Sequence, residues 1–356
     1  MVSLNGSRGE MTVAVDAMGG DYAPDEIVRG AIEAYRRGVK VVLVGRREVL
    51  EHRLLQLGSK LPVVHAPDVI GMQEKVTSAL RHRESSLLVS ARLADRREAD
   101  AIVSCGNSAA IYFVVFHVWG TQSGIDRPAF GGTLSTRDGP VFLLDIGANN
   151  SVKTSNLVQF AVMGEVYMRL AFGLDAPRVA LLSNGSEDSK GTKEVKEANQ
   201  ALRKLDMNFV GNVEANEIFD GRVDVVVSDG FAGNVLLKGG EAVASEIFDL
   251  LREELSKSLV SKVAGAALRP AFLRIKRMLD YEEYGGAPML GVNGVMINCH
   301  GRSKAKAVTN AILLAQQMAH ERLVDRIGEA LHRDDVEVSA RARRLARALH
   351  LRHADA

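Results

Sequence analysis

What most constrains this chain is a rhythm. From Met11 onward, short runs rich in β-branched residues alternate with helical stretches: TVAVDA, VKVVLVG, LPVVHA, ADAIVSC, PVFLLDIG, RVALLSNG, MNFVGN and VDVVVSD. Strands that alternate with helices are joined by crossovers, which make a largely parallel sheet. The runs are apolar throughout rather than at every second residue, as expected when helices cover both faces of a sheet. Residues 23–37 and 193–205 carry polar outer faces and fit the crossovers. The expected fold class is therefore α/β, with a mainly parallel sheet at its centre.

The chain has 356 residues, 46% of them hydrophobic, enough to bury the core of one large α/β unit or of two smaller domains. One catalytic unit over residues 11–330 is the expectation. The rhythm stops over residues 241–279, where two helical stretches follow each other with no strand between, so this segment reads as a helical projection. Val243, Ile247, Leu250, Leu251 and Leu255 share one face of its first helix, and Leu268, Phe272, Ile275 and Leu279 form a stripe on its second. Pro270 fits the first turn of that second helix. Arg269, Arg274, Lys276 and Arg277 flank or oppose the stripe, an arrangement suited either to an anionic membrane surface or to packing across a dimer. The sheet is expected to resume near residues 289–297. The first ten residues read as a disordered leader, and residues 331–356 as a basic, solvated helical tail.

Charge balance excludes one class of partner. A formal net charge of +1 supplies no field for a phosphate backbone, so nucleic acid is not expected. Cys105 and Cys299 form neither a CxxC pair nor a Cys/His ligand spacing, so no metal and no disulfide framework are expected, and a reducing cytoplasm fits. No apolar run reaches the ~18 residues that span a bilayer.

The chemistry lies at the strand ends. DAMGGD, SCGNS, DIGANN, SNGSEDSKG and SDGFAGN each place glycine beside Asp, Asn or Ser after a strand. Five such endings are expected to converge on one rim, and ligands of open α/β sheets bind outside the carboxyl ends of strands. Glycine lets backbone N–H groups approach an anion, and the following helix adds its positive N-terminus. Phosphate or a phosphoryl-bearing ligand is the natural guest. Each loop alone is equally an ordinary strand-to-helix turn, with Asn107 or Ser108 as simple N-caps. None is a P-loop and none reads GxGxxG, which disfavours ATP and NAD.

These motifs, in this order, resemble the acyl-acyl carrier protein:phosphate acyltransferases of bacterial phospholipid synthesis. The resemblance runs from about Val13 to Met318 and rests on DAMGGDYAP from Asp16, SCGNS from Ser104, GIDRPA from Gly124 and LLDIGAN from Leu143. It continues through QFAVMG, SKG at 189–191, DVVVSDGFAGNVLLK from Asp224, EYGGAPMLGV from Glu283 and HGRS from His300. The sequence departs from the usual pattern at Cys105 and Ala109, at Val76, over residues 150–154 and over 183–186. The resemblance implies a three-layer α/β/α fold, like the phosphate acetyltransferases and the isopropylmalate dehydrogenases. It implies a homodimer without cofactor that moves a long-chain acyl group from acyl carrier protein to inorganic phosphate. The acyl phosphate would then serve a membrane glycerol-phosphate acyltransferase, with this chain cytoplasmic and peripheral on the inner face of the membrane. Phosphate is itself a competent nucleophile, so direct attack on the thioester needs no covalent intermediate. Short-chain phosphate acetyl- or butyryltransferase chemistry on coenzyme A thioesters, and a non-catalytic carrier-protein scaffold, are the competing readings.

The catalytic candidates are Lys190, Asp229 and His300. Lys190 could neutralise phosphate or be a solvated loop lysine. Asp229 ends an apolar strand and either handles a proton or caps a helix. His300 can exchange protons near neutral pH or merely order its loop. The phosphate-binding candidates are Ser104, Gly106, Asn107 and Ser108, with Arg127 as an oxyanion fork or a structural ion pair. Asp16, Gly19, Gly20, Asp145, Asn149, Gly230 and Asn234 complete the rim, the two aspartates holding loops or touching the site. A Cys105 nucleophile is disfavoured because the family position is not cysteine.

Overall fold

The structure, a computed structural model, describes residues 11–74, 79, 81–278 and 281–333. The leader, Val76, Leu279 and the tail beyond Arg333 lie outside the described residues.

The first half alternates as expected: β1 (Thr12–Asp16), α1 (Asp25–Arg36), β2 (Lys40–Gly45), α2 (Arg47–Gln56), β3 (Val63–His65), α3 (Ser86–Asp95), β4 (Ala101–Ser104) and α4 (Ser108–Trp119). A hairpin of β5 (Ala129–Thr136) and β6 (Gly139–Leu144) then leads to α5 (Thr154–Phe172), β7 (Val179–Leu182), α6 (Lys193–Leu202), β8 (Phe209–Val213) and β9 (Val225–Val227). Two long helices follow, α7 (Gly230–Ser256) and α8 (Leu259–Met278). The chain returns to the sheet as β10 (Ala287–Leu290) and β11 (Val295–Asn298), and ends its described part with α9 (Ala305–His320) and α10 (Leu323–Arg333).

Among the described residues, the strands form one sheet in the order β3-β2-β1-β4-β11-β10-β5-β6-β9-β7-β8. Seven neighbouring pairs are parallel and three are antiparallel: β11 with β10, β10 with β5, and β5 with β6. Three reversals leave β6, β9, β7 and β8 running opposite to β1, β4 and β11. The expectation that five glycine-bearing endings share one rim is corrected accordingly, because those of β1 and β4 leave the sheet in one sense and those of β6, β9 and β7 in the other. A run of apolar residues does not encode its direction, so the reversal was not legible in the sequence.

Alternate residues of each strand feed opposite cores. Val13, Val15, Val103, Ile297, Leu144 and Val227 join one continuous core that runs across the whole sheet with α1, α5 and α9. On the other face the core is split. Ala14, Ile102 and Met296 pack with α3 and α4, whereas Val141, Leu143, Ala180 and Val226 form a separate cluster. Helices thus cover both faces, the expected three layers, with a gap on one face between two cores.

The projection is longer than the sequence suggested. Its first helix starts at Gly230, because Asp229 accepts a hydrogen bond from the Ala232 N–H and turns GFAGN into helix instead of loop. Pro270 does not begin the second helix; it lies inside α8. That helix starts at Leu259, and the exposed proline is tolerated there at the loss of one backbone hydrogen bond. The two helices meet where Leu255 lies against Gly265, at whose position a Cβ would stand 3.3 Å from the Leu255 Cβ.

Candidate active site between the two half-sheets

A cavity of about 740 Å³ occupies the gap between the two cores. The turn from β4 into α4 supplies Gly106, Asn107 and Ser108, the loop after β6 supplies residues 146–148 and Asn150, and the end of β11 with its loop supplies Asn298, Cys299, His300 and Gly301. Asn234, Leu237, Lys238 and Glu241 come from α7, while Phe130, Gly132 and Thr133 of β5 form the strand wall.

The polar end is built on buried carboxylates. Asp16, at the end of β1, accepts from the Ser104 hydroxyl at 2.7 Å and from the Met18 and Gly19 N–H groups at 3.2 Å each. The Ser104 Oγ in turn accepts from the Gly106 N–H at 3.0 Å. This chain of bonds ties the first strand's loop to the Gly106–Asn107 turn. Space there is tight: a Cβ on Gly19 would lie 2.6 Å from Asp16 Oδ2 and 2.9 Å from the Gly106 nitrogen. Burial raises the Asp16 pKa against the lowering effect of those donors. Asn107 caps α4 by accepting from the Ala109 and Ala110 N–H groups, and donates to the Met72 carbonyl at 2.8 Å. The positive end of α4 therefore opens at the cavity beside Gly106.

Asp145 does the same for the opposite wall. Fully buried, its Oδ1 accepts from the Phe130, Gly147 and Ala148 N–H groups, and its Oδ2 from the Asn149 backbone and side chain at 2.7 and 2.9 Å. Asn149 also donates to the Pro128 carbonyl, linking the GIDRPA loop to the β6 loop. Gly233 packs so closely that a Cβ would fall 1.9 Å from the Asp145 carbonyl oxygen.

Three ionisable groups face the cavity from α7 and the β11 loop. Partial burial raises the Glu241 pKa, and the neighbouring His300 and Lys238 oppose that rise. His300 Nδ1 accepts from the Arg302 N–H at 3.1 Å, which leaves Nε2 as the protonated nitrogen of the neutral ring. Tyr112, one turn into α4, has its pKa raised to about 12, first by burial.

The model of the fatty acid synthesis protein family matches residues 11–326. A phosphate acyltransferase of Pelotomaculum thermopropionicum is 45% identical over 333 residues, covering 92% of this chain and 97% of its own. Another, of Geobacter sulfurreducens, is 44% identical over 326 residues, covering 90% and 94%. The chain belongs to the phosphate acyltransferase family. Among solved structures, a phosphotransacetylase of Streptococcus pyogenes superposes with a TM-score of 0.62 at 17% identity, covering 88% of this chain and 94% of that one. A branched-chain phosphotransacylase of Enterococcus faecalis V583 reaches 0.54 at 13% identity, covering 87% and 99%. At such identities the likeness is one of fold, and it matches the phosphate acetyltransferase-like architecture expected from the sequence.

In this acyltransferase the sequence candidates divide. Gly106, Asn107, Ser108, Asn234 and His300 come together around the cavity. Ser104, Asp16, Asp145 and Asn149, expected among the phosphate-binding residues, are buried behind it, and their hydrogen bonds run to the loops around them. Gly19, Gly20 and Gly230 permit close approaches, Gly20 with a φ of +107° against Cys105 and Gly230 against the Asn149 backbone. Asp229 lines a second, smaller cavity of about 210 Å³ together with Thr192 and Glu194. The Lys190 and Asp229 loops thus meet, but at this second cavity, and Lys190 lines neither. Arg127 is exposed and donates to the Ser151 carbonyl at 3.4 Å, in the loop that separates the two cavities. Cys105 is buried, and its hydrogen-bonded neighbour Cys299 and its burial push the thiol pKa well up, which leaves no thiolate for a nucleophile.

Lys238, Glu241 and Tyr112 are site residues that sequence reasoning missed. All three sit on helices one to three turns past a glycine loop, and the signal available was the helical spacing, i, i+4 from Ser108 to Tyr112 and from Asn234 to Lys238, and i, i+7 from Asn234 to Glu241. Among the described residues no cluster of three His, Cys, Asp or Glu side chains could hold a metal.

Proposed function

We propose that this enzyme transfers a long-chain acyl group from acyl carrier protein to inorganic phosphate, by direct attack of a phosphate oxygen on the thioester carbonyl. The observation that carries this reading is that the positive end of α4, Lys238 and His300 adjoin an apolar wall in one cavity. Phosphate fits beside Gly106 and the α4 N-terminus, with Lys238 adding positive charge. The smaller cavity suits it poorly because Glu194, whose pKa is lowered by hydrogen bonds, and Asp229 place carboxylates there. As the new C–O bond forms and the C–S bond breaks, the carbonyl oxygen gathers negative charge. The departing thiolate takes the proton that the attacking hydrogen phosphate gives up, while His300 Nε2–H donates a hydrogen bond to the oxygen or sulfur on which charge builds.

The comparisons speak for phosphate and an acyl donor; carrier protein in preference to coenzyme A is our inference, as is delivery to a membrane acyltransferase. No described helix is long and apolar enough to cross a membrane. The α7–α8 hairpin instead leaves Val243, Ile247, Leu259, Val260 and Val263 exposed, and Arg269 and Arg274 are exposed further along α8. A poorly soluble acyl phosphate released next to an anionic bilayer would reach its consumer without crossing water, which favours a peripheral position for the hairpin. The expected homodimer draws on the same exposed helices.

The test is a side-by-side assay of palmitoyl-carrier protein and acetyl-coenzyme A with phosphate. Palmitoyl-carrier protein should yield free carrier and a hydroxylamine-sensitive acyl phosphate, and His300→Ala should lower that turnover about a hundredfold. Faster turnover of acetyl-coenzyme A would transfer the enzyme to the short-chain class.

A further inference from the structure

The cavity has two chemically different ends, and only the polar one is explained by phosphate. Its other wall is contiguous and apolar. The Tyr112 ring lies 6.2 Å from that of Phe130, tilted by 59°. Phe130, with Tyr112 and Ile146 against it, belongs to the core on the α3–α4 side, while Ile146 and Leu237 also pack on the separate core of the other half-sheet. Ile146 thus bridges the two cores across the gap. Between Phe130 and Leu237 the wall is bare backbone at Gly132: a Cβ built there would stand 3.1 Å from Ile146 Cδ1 and 3.6 Å from Leu237 Cδ2, pointing among cavity-lining side chains.

Gly132 needs no glycine for its backbone. It lies in regular strand, paired with Leu143, and its φ is outside the left-handed region. Gly131 beside it is different, because a Cβ there would stand 1.9 Å from the Phe142 ring and collide with the core. The side chain missing at Gly131 makes room for a ring of this protein. The one missing at Gly132 lets the end of the Ile146 side chain and Leu237 come up to the bare strand at the cavity, where a Cβ would push Ile146 aside, whereas a strand position whose backbone needs no glycine would ordinarily carry a β-branched side chain.

Resting on the acyl-transfer reading above, we propose that the wall of Tyr112, Phe130, Gly132, Ile146 and Leu237 holds the hydrocarbon chain of the acyl donor, with Gly132 setting how long a chain is accepted. The carbonyl end then lies toward Gly106, Lys238 and His300, and the chain runs between β5 and α7. A cavity of about 740 Å³ falls in the range of ~300–1,000 Å³ usual for sites that enclose a whole small ligand. The raised pKa of Tyr112, caused first by burial, agrees with an apolar surrounding on that side.

The experiment measures two things on wild type, Gly132→Val and Leu237→Phe: affinity for saturated fatty acids of graded length, by displacement of a fluorescent fatty acid, and phosphate-dependent turnover of acyl thioesters of the same lengths. Gly132→Val should weaken binding and turnover of the longest chains by about tenfold or more and leave the shortest within about twofold. Leu237→Phe narrows the same wall from a half-buried helical position and should give the same skew, so the result does not hang on one strand substitution. A loss equal at every length, as expected if the carrier's arm occupied this wall, overturns the proposal, and so does an unchanged profile in a folded Leu237→Phe. Binding keeps the two readings apart: silent turnover in wild type with length-selective binding removes acyl transfer and leaves the chain site standing.

Discussion

At the scale of single residues, this site rests on two buried aspartates that hold its loops. Asp145 accepts from five donors, and either of its oxygens faces at least two N–H groups, so an Asn there would aim its own N–H₂ at other donors. Asp145→Asn is expected to lower stability by about 1–3 kcal/mol. The pH dependence has a sign. Burial is the first cause shifting Asp145 and raises its pKa above 3.8, so the folded protein keeps that proton to a higher pH than the unfolded chain does. Its contribution to stability is then largest below 3.8 and falls as the pH climbs through the folded value. The cost of Asp145→Asn, followed by urea melts over that window, should shrink with rising pH. A cost that grew would mean that the five donors outweigh burial. DIGAN showed a carboxylate at a strand end and left open whether it held its loop or met the ligand. Its partners Phe130 and Pro128 are distant in sequence, which is why the answer needed the fold.

At the scale of elements, the strands were legible because apolar runs between glycine turns admit few alternatives, and the three layers followed from them. Two features were not. The β10–β11 hairpin enters the sheet between halves that the chain had already built, so order along the chain gives no hint of its place. The first turns of α7 carry four glycines among GFAGNVLLKGG and read as loop, although the Asp229 cap and packing against Asp145 make them helix. The helical hairpin brings its own prediction. Leu268 is 50% exposed, so Leu268→Asp should leave the melting temperature within a few degrees of wild type. If the hairpin meets lipid, flotation of wild type with anionic liposomes should be lost in that variant. Retained flotation together with a shift from dimer to monomer would assign the face to the partner chain instead.

At the scale of the whole molecule, function follows from the way one sheet is reversed in its middle. Opposed half-sheets separate the core on one face, and the gap receives a glycine-rich helix start from one half and a charged helix from the other. Five loops rich in Gly, Asp and Asn announced an anion site in the sequence. Their division between one large cavity and one small, acid-lined cavity appears only in the fold, where the β6 ending joins that of β4 although the two strands run in opposite senses. The central claim is that phosphate itself attacks the thioester in that large cavity. The most direct measurement mixes excess enzyme with palmitoyl-carrier protein and follows free carrier with and without phosphate. Without phosphate no carrier should appear, and with phosphate its release should match acyl phosphate one to one. A burst of one carrier per enzyme without phosphate would contradict the claim, because it would reveal an acyl-enzyme made by a side chain of this protein.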